Sequence, residues 1–308
     1  MKRVSIVTPC FNEEENIREL YDRVRKVMAG FDYEYEHIFI DNASADRTVE
    51  LLRELAKQDK CVKVIFNTRN FGHIRSPYHA LLQASGDAVI VMASDLQDPP
   101  EKITEFIHKW EDGYKVVIGI KTSSQEWGLV YFLRSLYYRI LRGLSDVELI
   151  ENFTGFGLYD QQVIKILRDF DDPYPYFRGL IADIGLPIAH IEFLQPRRQH
   201  GITKNNFYTL YDMAMLGLTS YTKIPLRLAA MLGFMTAGIS FLVGLAYLIY
   251  KLIFWASFSV GLAPVVIGLF FLGSVQLIFL GIIGEYVGAI YTQVIHRPLV
   301  IEKERINF

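Results

Sequence analysis

Val89-Ile90-Val91-Met92-Ala93-Ser94-Asp95-Leu96-Gln97-Asp98-Pro99-Pro100 is the stretch that decides how the chain folds. Its first half is a short apolar run rich in β-branched residues, the mark of a strand buried on both faces. The run stops on Asp95, and Pro99-Pro100 predicts a helix start, because proline's missing N–H is not needed in a first helical turn. In open α/β sheets, ligands bind at the carboxyl ends of the parallel strands. Asp95 and Gln97 stand two apart at such an end. One bend can therefore aim a carboxylate and an amide oxygen at a single hard cation, Mg²⁺ or Mn²⁺. Asp95 capping the following helix is the competing reading, and this segment alone does not separate the two.

Working outward, residues 1–121 alternate strand and helix signals. Strands are predicted at Val4–Thr8, His37–Asp41, Val62–Asn67, Ala88–Ser94 and Lys115–Ile120. Helices are predicted at Glu13–Met28, Asp46–Lys57, Arg75–Ala84 and Pro99–Trp110. In the first helix Ile17, Leu20, Val24 and Val27 share one face. This βαβα rhythm predicts an α/β fold with a mostly parallel sheet covered by helices.

The chain has 308 residues and a formal net charge of −2, so no global basic field points to nucleic acid. Its two cysteines, Cys10 and Cys61, fit a reducing compartment rather than a disulfide framework. Hydrophobic residues make up 51% of the chain, and the excess sits at the C-terminus. Leu228–Tyr250 and Leu262–Gly284 are uncharged runs of 23 residues each. Each is long enough to cross a hydrocarbon core of about 30 Å at about 1.5 Å per residue. Arg197, Arg198, Lys204, Lys223 and Arg227 precede the first run, and Arg297, Lys303 and Arg305 follow the second. Only Lys251 lies between them. Positive-inside counting then predicts a hairpin with both ends cytoplasmic, in the plasma membrane. Gly233, Gly238 and Gly244 allow close helix approach and so a homo-oligomer. Trp127–Leu144 interleaves Leu and aromatic residues with Arg134, Arg139 and Arg142. It reads either as an interface helix or as a core helix with a solvated arginine face. Phe207–Tyr221 is a second candidate of this kind.

Two further polar segments leave predicted strands: Thr8-Pro9-Cys10-Phe11-Asn12-Glu13-Glu14 and Asp41-Asn42-Ala43-Ser44-Ala45-Asp46. Either can be simple helix capping, but with the Asp95 segment they place three polar strand ends on one edge of one sheet. In this order the three segments resemble the inverting glycosyltransferases of family 2, with the nucleotide-sugar-binding GT-A fold. Arg178-Gly179-Leu180, Arg197-Arg198-Gln199-His200-Gly201-Ile202-Thr203-Lys204 and the paired C-terminal runs ending in Tyr291…Arg297-Pro298 are similar to the polyprenyl-phosphate members, across essentially the whole chain. The resemblance implies a cytosolic GT-A domain over 1–205 and an interface helix or linker over 206–227. A transmembrane hairpin over 228–290 and a cytosolic tail over 291–308 would follow.

It further implies a nucleotide pocket of Pro9, Phe11, Glu13, Asp41 and Asn42, and a divalent ion on Asp95 and Gln97. Arg178 would act in catalysis with Asp95. Arg134, Arg139, Arg198 and Lys204 would hold the diphosphate and acceptor phosphate, a use that suits forked guanidinium groups. The implied reaction moves a sugar from a nucleotide-sugar to undecaprenyl or another polyprenyl phosphate at the cytosolic face of the bilayer. Another membrane acceptor, or a non-catalytic nucleotide-binding scaffold, are the alternatives.

Three departures from the family pattern matter. Ala93 replaces the first Asp of the usual Asp-x-Asp. Asn42 replaces a second Asp after the second strand, and its amide suits a uracil edge, which favours a UDP-sugar. Thr154-Gly155-Phe156-Gly157-Leu158 lacks the Asp that relatives carry near Gly155, leaving no evident general base; Glu151 and Asp160 flank the gap.

Overall fold

In a computed structural model of the protein, residues 2–122, 150, 152–196, 207–254, 262–295 and 297–308 are described. The predicted helix Trp127–Leu144 with Arg134 and Arg139, together with Glu151, Arg198 and Lys204, lies outside them.

The N-terminal half follows the predicted alternation. Strands β1 (Arg3–Cys10), β2 (Glu34–Asp41), β3 (Val62–Asn67), β4 (Ala88–Val91) and β5 (Val116–Lys121) are separated by α1 (Ile17–Met28), α2 (Thr48–Gln58), α3 (Gly72–Gln83) and α4 (Ile103–Glu111). Side chains alternate across a strand. Val4, Ile6, Phe39, Val64 and Ile90 therefore meet α1, α2 and α4 on one face. Val7, Ile38, Ile40, Ile65 and Val89 meet Tyr78 and Leu81 of α3 on the other.

Further strands complete the sheet. β6 (Phe153–Asp160) and β7 (Ile188–Phe193) frame α5 (Gln161–Asp169) and α6 (Phe177–Asp183). The order is β7-β5-β6-β4-β1-β2-β3-β8, and four of the seven neighbour pairs are parallel. β6 is inserted antiparallel between β4 and β5, so these two strands are not adjacent. Gly157 makes that insertion possible, since a Cβ there would lie 2.4 Å from the Val117 carbonyl oxygen.

The last strand, β8 (Glu302–Ile306), comes from the segment expected to be a tail, and pairs antiparallel with β3 as the edge of the sheet. The Arg53–Glu304 pair at 2.5 Å, the His79–Glu302 pair at 2.5 Å and Asn307 Nδ2 donating to Ala56 O and Val62 O fasten it. The sheet is thus built from both ends of the chain.

Between them lie α7 (Phe207–Tyr221), α8 (Ile224–Ile253) and α9 (Leu262–Ile295). Ile224–Tyr250 and Gly268–Ile295 are long and apolar enough to cross a membrane, and almost none of either is buried. Both helices outrun the predicted spans. The second continues through Glu285, which accepts a hydrogen bond from Tyr211 Oη of α7 at 2.7 Å. Tyr286 Oη donates to Thr222 O at 2.7 Å, so α9 is docked on the α7–α8 corner. That corner in turn packs on α6 through Gly179, whose absent Cβ would stand 2.3 Å from Tyr221 Cε2.

Candidate active site

β1 connects to β2 on one side, whereas β4 lies on the other side of β1. The carboxyl ends of β1 and β4 therefore flank the switch point of the sheet, where open α/β folds leave a crevice. A cavity of about 240 Å³ occupies that place. Pro9 of β1, Val91 of β4, Met92 and Ala93 after it, Thr154 and Gly155 of β6, and Arg178 of α6 all line it.

The chain turns sharply off β1, β2 and β4. Asn12, Ala43 and Leu96 take positive φ of 55°, 62° and 60°. Such conformations are uncommon for non-glycine residues and cluster at functional sites. The turns after β1 and β2 are laced together. Asn12 N donates to Ser44 Oγ at 2.9 Å, Ala45 N to Asn12 Oδ1 at 2.8 Å, and Glu13 N to Thr48 Oγ1 at 2.9 Å. The Glu13 carboxylate is buried and accepts from Asn16 Nδ2 at 2.6 Å. Asp41 is also buried and accepts from Ser44 N at 3.1 Å. Burial pushes its pKa up, against the Ser44 hydrogen bonds that lower it.

Asn42 has a different local role from the one expected. Its Nδ2 donates to Asn70 Oδ1 at 2.8 Å and Gly72 O at 3.1 Å, and its Oδ1 accepts from Phe71 N at 2.9 Å and Asn67 Nδ2 at 3.2 Å. Both ends of the amide are spent on the β3–α3 loop.

On the segment after β4, Asp95 Oδ1 accepts from Gln97 N at 3.2 Å, which folds the two side chains onto one bend. Gln97 Nε2 donates to Pro196 O at 3.4 Å, a bond that does not use its carbonyl oxygen. A carboxylate plus one amide oxygen suits Mg²⁺ or Mn²⁺, which are held by one or two protein carboxylates with substrate phosphates and water. No cluster of three His, Cys, Asp or Glu side chains suited to a metal occurs among the described residues. Such an ion would therefore need oxygens from the substrate.

Sequence reasoning passed over two cavity residues. Asp98 is buried, lines the cavity and accepts from Ala93 N at 2.9 Å. Burial raises its pKa to about 7, with the Asp95 charge adding to the rise and Ala93 N–H and Lys121 opposing it. Asp98 stood in the opening segment, yet its spacing resembles ordinary helix capping. His73, from the first turn of α3, also lines the cavity, and no motif marks it. Of the expected residues, Pro9 and Arg178 line the cavity. Phe11 and Glu13 follow β1, the neighbour of β4, while Asp41 and Asn42 lie at the end of β2, two strand spacings or about 10 Å from β4.

Gly155 has φ +104°, a conformation that strains any L side chain, so the backbone itself explains why no carboxylate stands there. Asp160 serves the fold. It caps α5 through Gln162 N and accepts from Trp110 Nε1 at 2.8 Å and Lys115 Nζ at 2.9 Å. Burial raises its pKa, but these bonds outweigh burial and hold it below the usual value.

Residues 5–168 match the model of glycosyl transferase family 2. The chain is 36% identical to the uncharacterized glycosyltransferase YkcC of Bacillus subtilis, over 96% of this chain and 92% of that one. It is 34% identical to the bactoprenol glucosyl transferase of Shigella phage SfV, over 98% of each. A prophage bactoprenol glucosyl transferase homolog of Escherichia coli K12 is 32% identical, again over 98% of each. With more than half the chain matched, and relatives of 32–36% identity covering 96–98% of it, this protein belongs to glycosyl transferase family 2 and is a glycosyltransferase.

Proposed function

We propose that the protein is a membrane-bound inverting glycosyltransferase that moves a sugar from a nucleotide-sugar onto a polyprenyl phosphate at the cytosolic face. The observation that carries this reading is the placement of the switch-point cavity. It is lined by Ala93 and Asp98 of the segment that carries Asp95 and Gln97, by Arg178, and by Met213 of α7, the helix that joins the catalytic sheet to the two apolar helices. Their exposed apolar surface is far larger than a soluble chain tolerates, and a bilayer is the environment that satisfies it. Because β8 returns to the sheet after α9, the catalytic domain holds both ends of the helix pair, as a hairpin requires. The names of the relatives supply the acceptor class.

In the reaction, an acceptor phosphate oxygen forms the new bond to the anomeric carbon as the bond to the diphosphate breaks, and the nucleoside diphosphate leaves. The second pKa of a phosphate monoester is near 6, so the nucleophile is mostly dianionic at pH 7 and little proton needs to move. A general base is therefore dispensable, which agrees with Gly155. Arg178, which lines the cavity, would bind phosphate oxygens, and the apolar wall of Tyr176, Phe177 and Met213 would exclude water from the sugar. Asp95 and Gln97 would hold the divalent ion, which when bound neutralises charge on the departing diphosphate.

The test uses purified protein in detergent with undecaprenyl phosphate, a panel of radiolabelled nucleotide-sugars and Mn²⁺ or Mg²⁺. The expected product is a lipid-linked sugar labile to mild acid. Asp95→Ala should lower transfer about a hundredfold or more with an unchanged melting temperature. Full activity of that variant, or an acid-stable product, overturns the reading.

A further inference from the structure

Outside the switch-point cavity, a second hollow of about 160 Å³ lies where α3 meets the end of α9. Arg75, Pro173, Tyr291, Thr292, Ile295 and Arg297 line it. Two guanidinium groups thus face one cavity from distant parts of the chain, one in the first turn of α3 and one two residues past the end of α9. Arg75 Nε is buried without a hydrogen-bond partner, and the guanidinium lies over the Tyr174 ring at 5.3 Å. Neither arginine forms an ion pair among the described residues. The neighbouring carboxylate of Asp172 is already engaged, accepting from Tyr174 N and from Gln293 Nε2, both at 2.9 Å.

Two unpaired guanidinium groups around a hollow of this size suit a phosphate group, whose oxygens match the guanidinium fork. An arginine pair without an anion would repel itself. The position names the carrier. Ile295 ends the second apolar helix, so on the membrane reading above the hollow lies at lipid-headgroup depth. We infer that Arg75 and Arg297 form a binding site for a lipid-borne phosphate, separate from the catalytic cavity, with Arg75 two residues along α3 from His73. Occupied by the acceptor lipid, the site would hold its phosphate at the bilayer surface before transfer. Occupied by an anionic phospholipid, it would fix α3 against the membrane. The proposal rests on the membrane-bound reading but not on sugar transfer.

The experiment is native mass spectrometry of the full chain in micelles doped with undecaprenyl phosphate, undecaprenol, phosphatidylglycerol or phosphatidylcholine. Wild type should retain the phosphate-bearing lipids, and Arg75→Ala with Arg297→Ala should lower that retention about tenfold or more. Retention of undecaprenol and phosphatidylcholine should stay unchanged. Arg75→Gln provides a milder variant, and a melting shift with UDP and Mn²⁺ reports that the nucleotide side is intact. Preferential loss of undecaprenyl phosphate identifies the acceptor lipid, and equal loss of phosphatidylglycerol identifies bulk anionic lipid; both support the site. Undiminished retention in the double variant, equal loss of all four lipids, or displacement only by inorganic phosphate with no lipid held overturns it. A wild type that holds the lipid yet transfers no sugar would sink the proposed reaction and leave this site standing.

Discussion

Asn42→Asp tests whether that amide reads a base or holds a loop. The substitution is nearly isosteric and keeps the acceptor used by Phe71 N and Asn67 Nδ2. It removes both donors and sets a carboxylate oxygen against Asn70 Oδ1 and Gly72 O, now 2.8 and 3.1 Å from the amide nitrogen. Two lost neutral hydrogen bonds are worth about 2 kcal/mol net, and the facing oxygens left buried add on the order of 1 kcal/mol. For a domain of this size about 3 kcal/mol lowers the melting temperature by roughly 6–12 °C. Differential scanning fluorimetry of the purified protein, with and without UDP, measures it. The loss should appear without nucleotide, and Asn42→Ala should show a similar loss. A variant that melts within about 2 °C of the parent and is changed only in its preference among nucleotides would refute the loop-holding account.

The acid sensitivity of the fold should trace in part to His37. This side chain is fully buried, pairs with Thr8 Oγ1 at 3.0 Å and has its pKa pushed down to about 3 by burial. The unfolded chain binds this proton near pH 6.5, so stability is lost as pH falls below 6.5, by about 1.4 kcal/mol per unit until pH nears 3. His37→Gln should cost some stability at pH 8 yet flatten the acid limb by about 3 kcal/mol between pH 7.5 and 4.5 in urea melts; an unchanged limb would remove His37 from the account. Truncation after Val300 removes β8 and bares the β3 edge. The ladder hydrogen bonds lost total roughly 2–5 kcal/mol, while the exposed Arg53–Glu304 pair contributes little. The truncated chain should melt lower and aggregate, as light scattering would show, and wild-type melting would mean the strand is decorative.

What the sequence determined by itself was local. Period-two and period-3.6 apolar patterns mark β1 to β5 and α1 to α4, because each pattern reports which face of its own element is buried. The Asp95–Gln97 bend and the two long apolar runs are legible for the same reason: a few adjacent residues carry the signal. β6 and β8 were missed for opposite causes. Gly155 and Gly157 make β6 read as loop, although Gly157 is demanded by the Val117 backbone beside it. Glu302-Lys303-Glu304-Arg305-Ile306 reads as a solvated tail because an edge strand carries charge rather than apolar alternation. Only the tertiary structure decided which distant groups meet. It put Pro9, His73, Asp98 and Arg178 around one cavity, spent the Asn42 amide on a neighbouring loop, and brought Arg75 to Arg297. Side chains from separate elements become neighbours through sheet order and helix packing, and no stretch of contiguous residues encodes that.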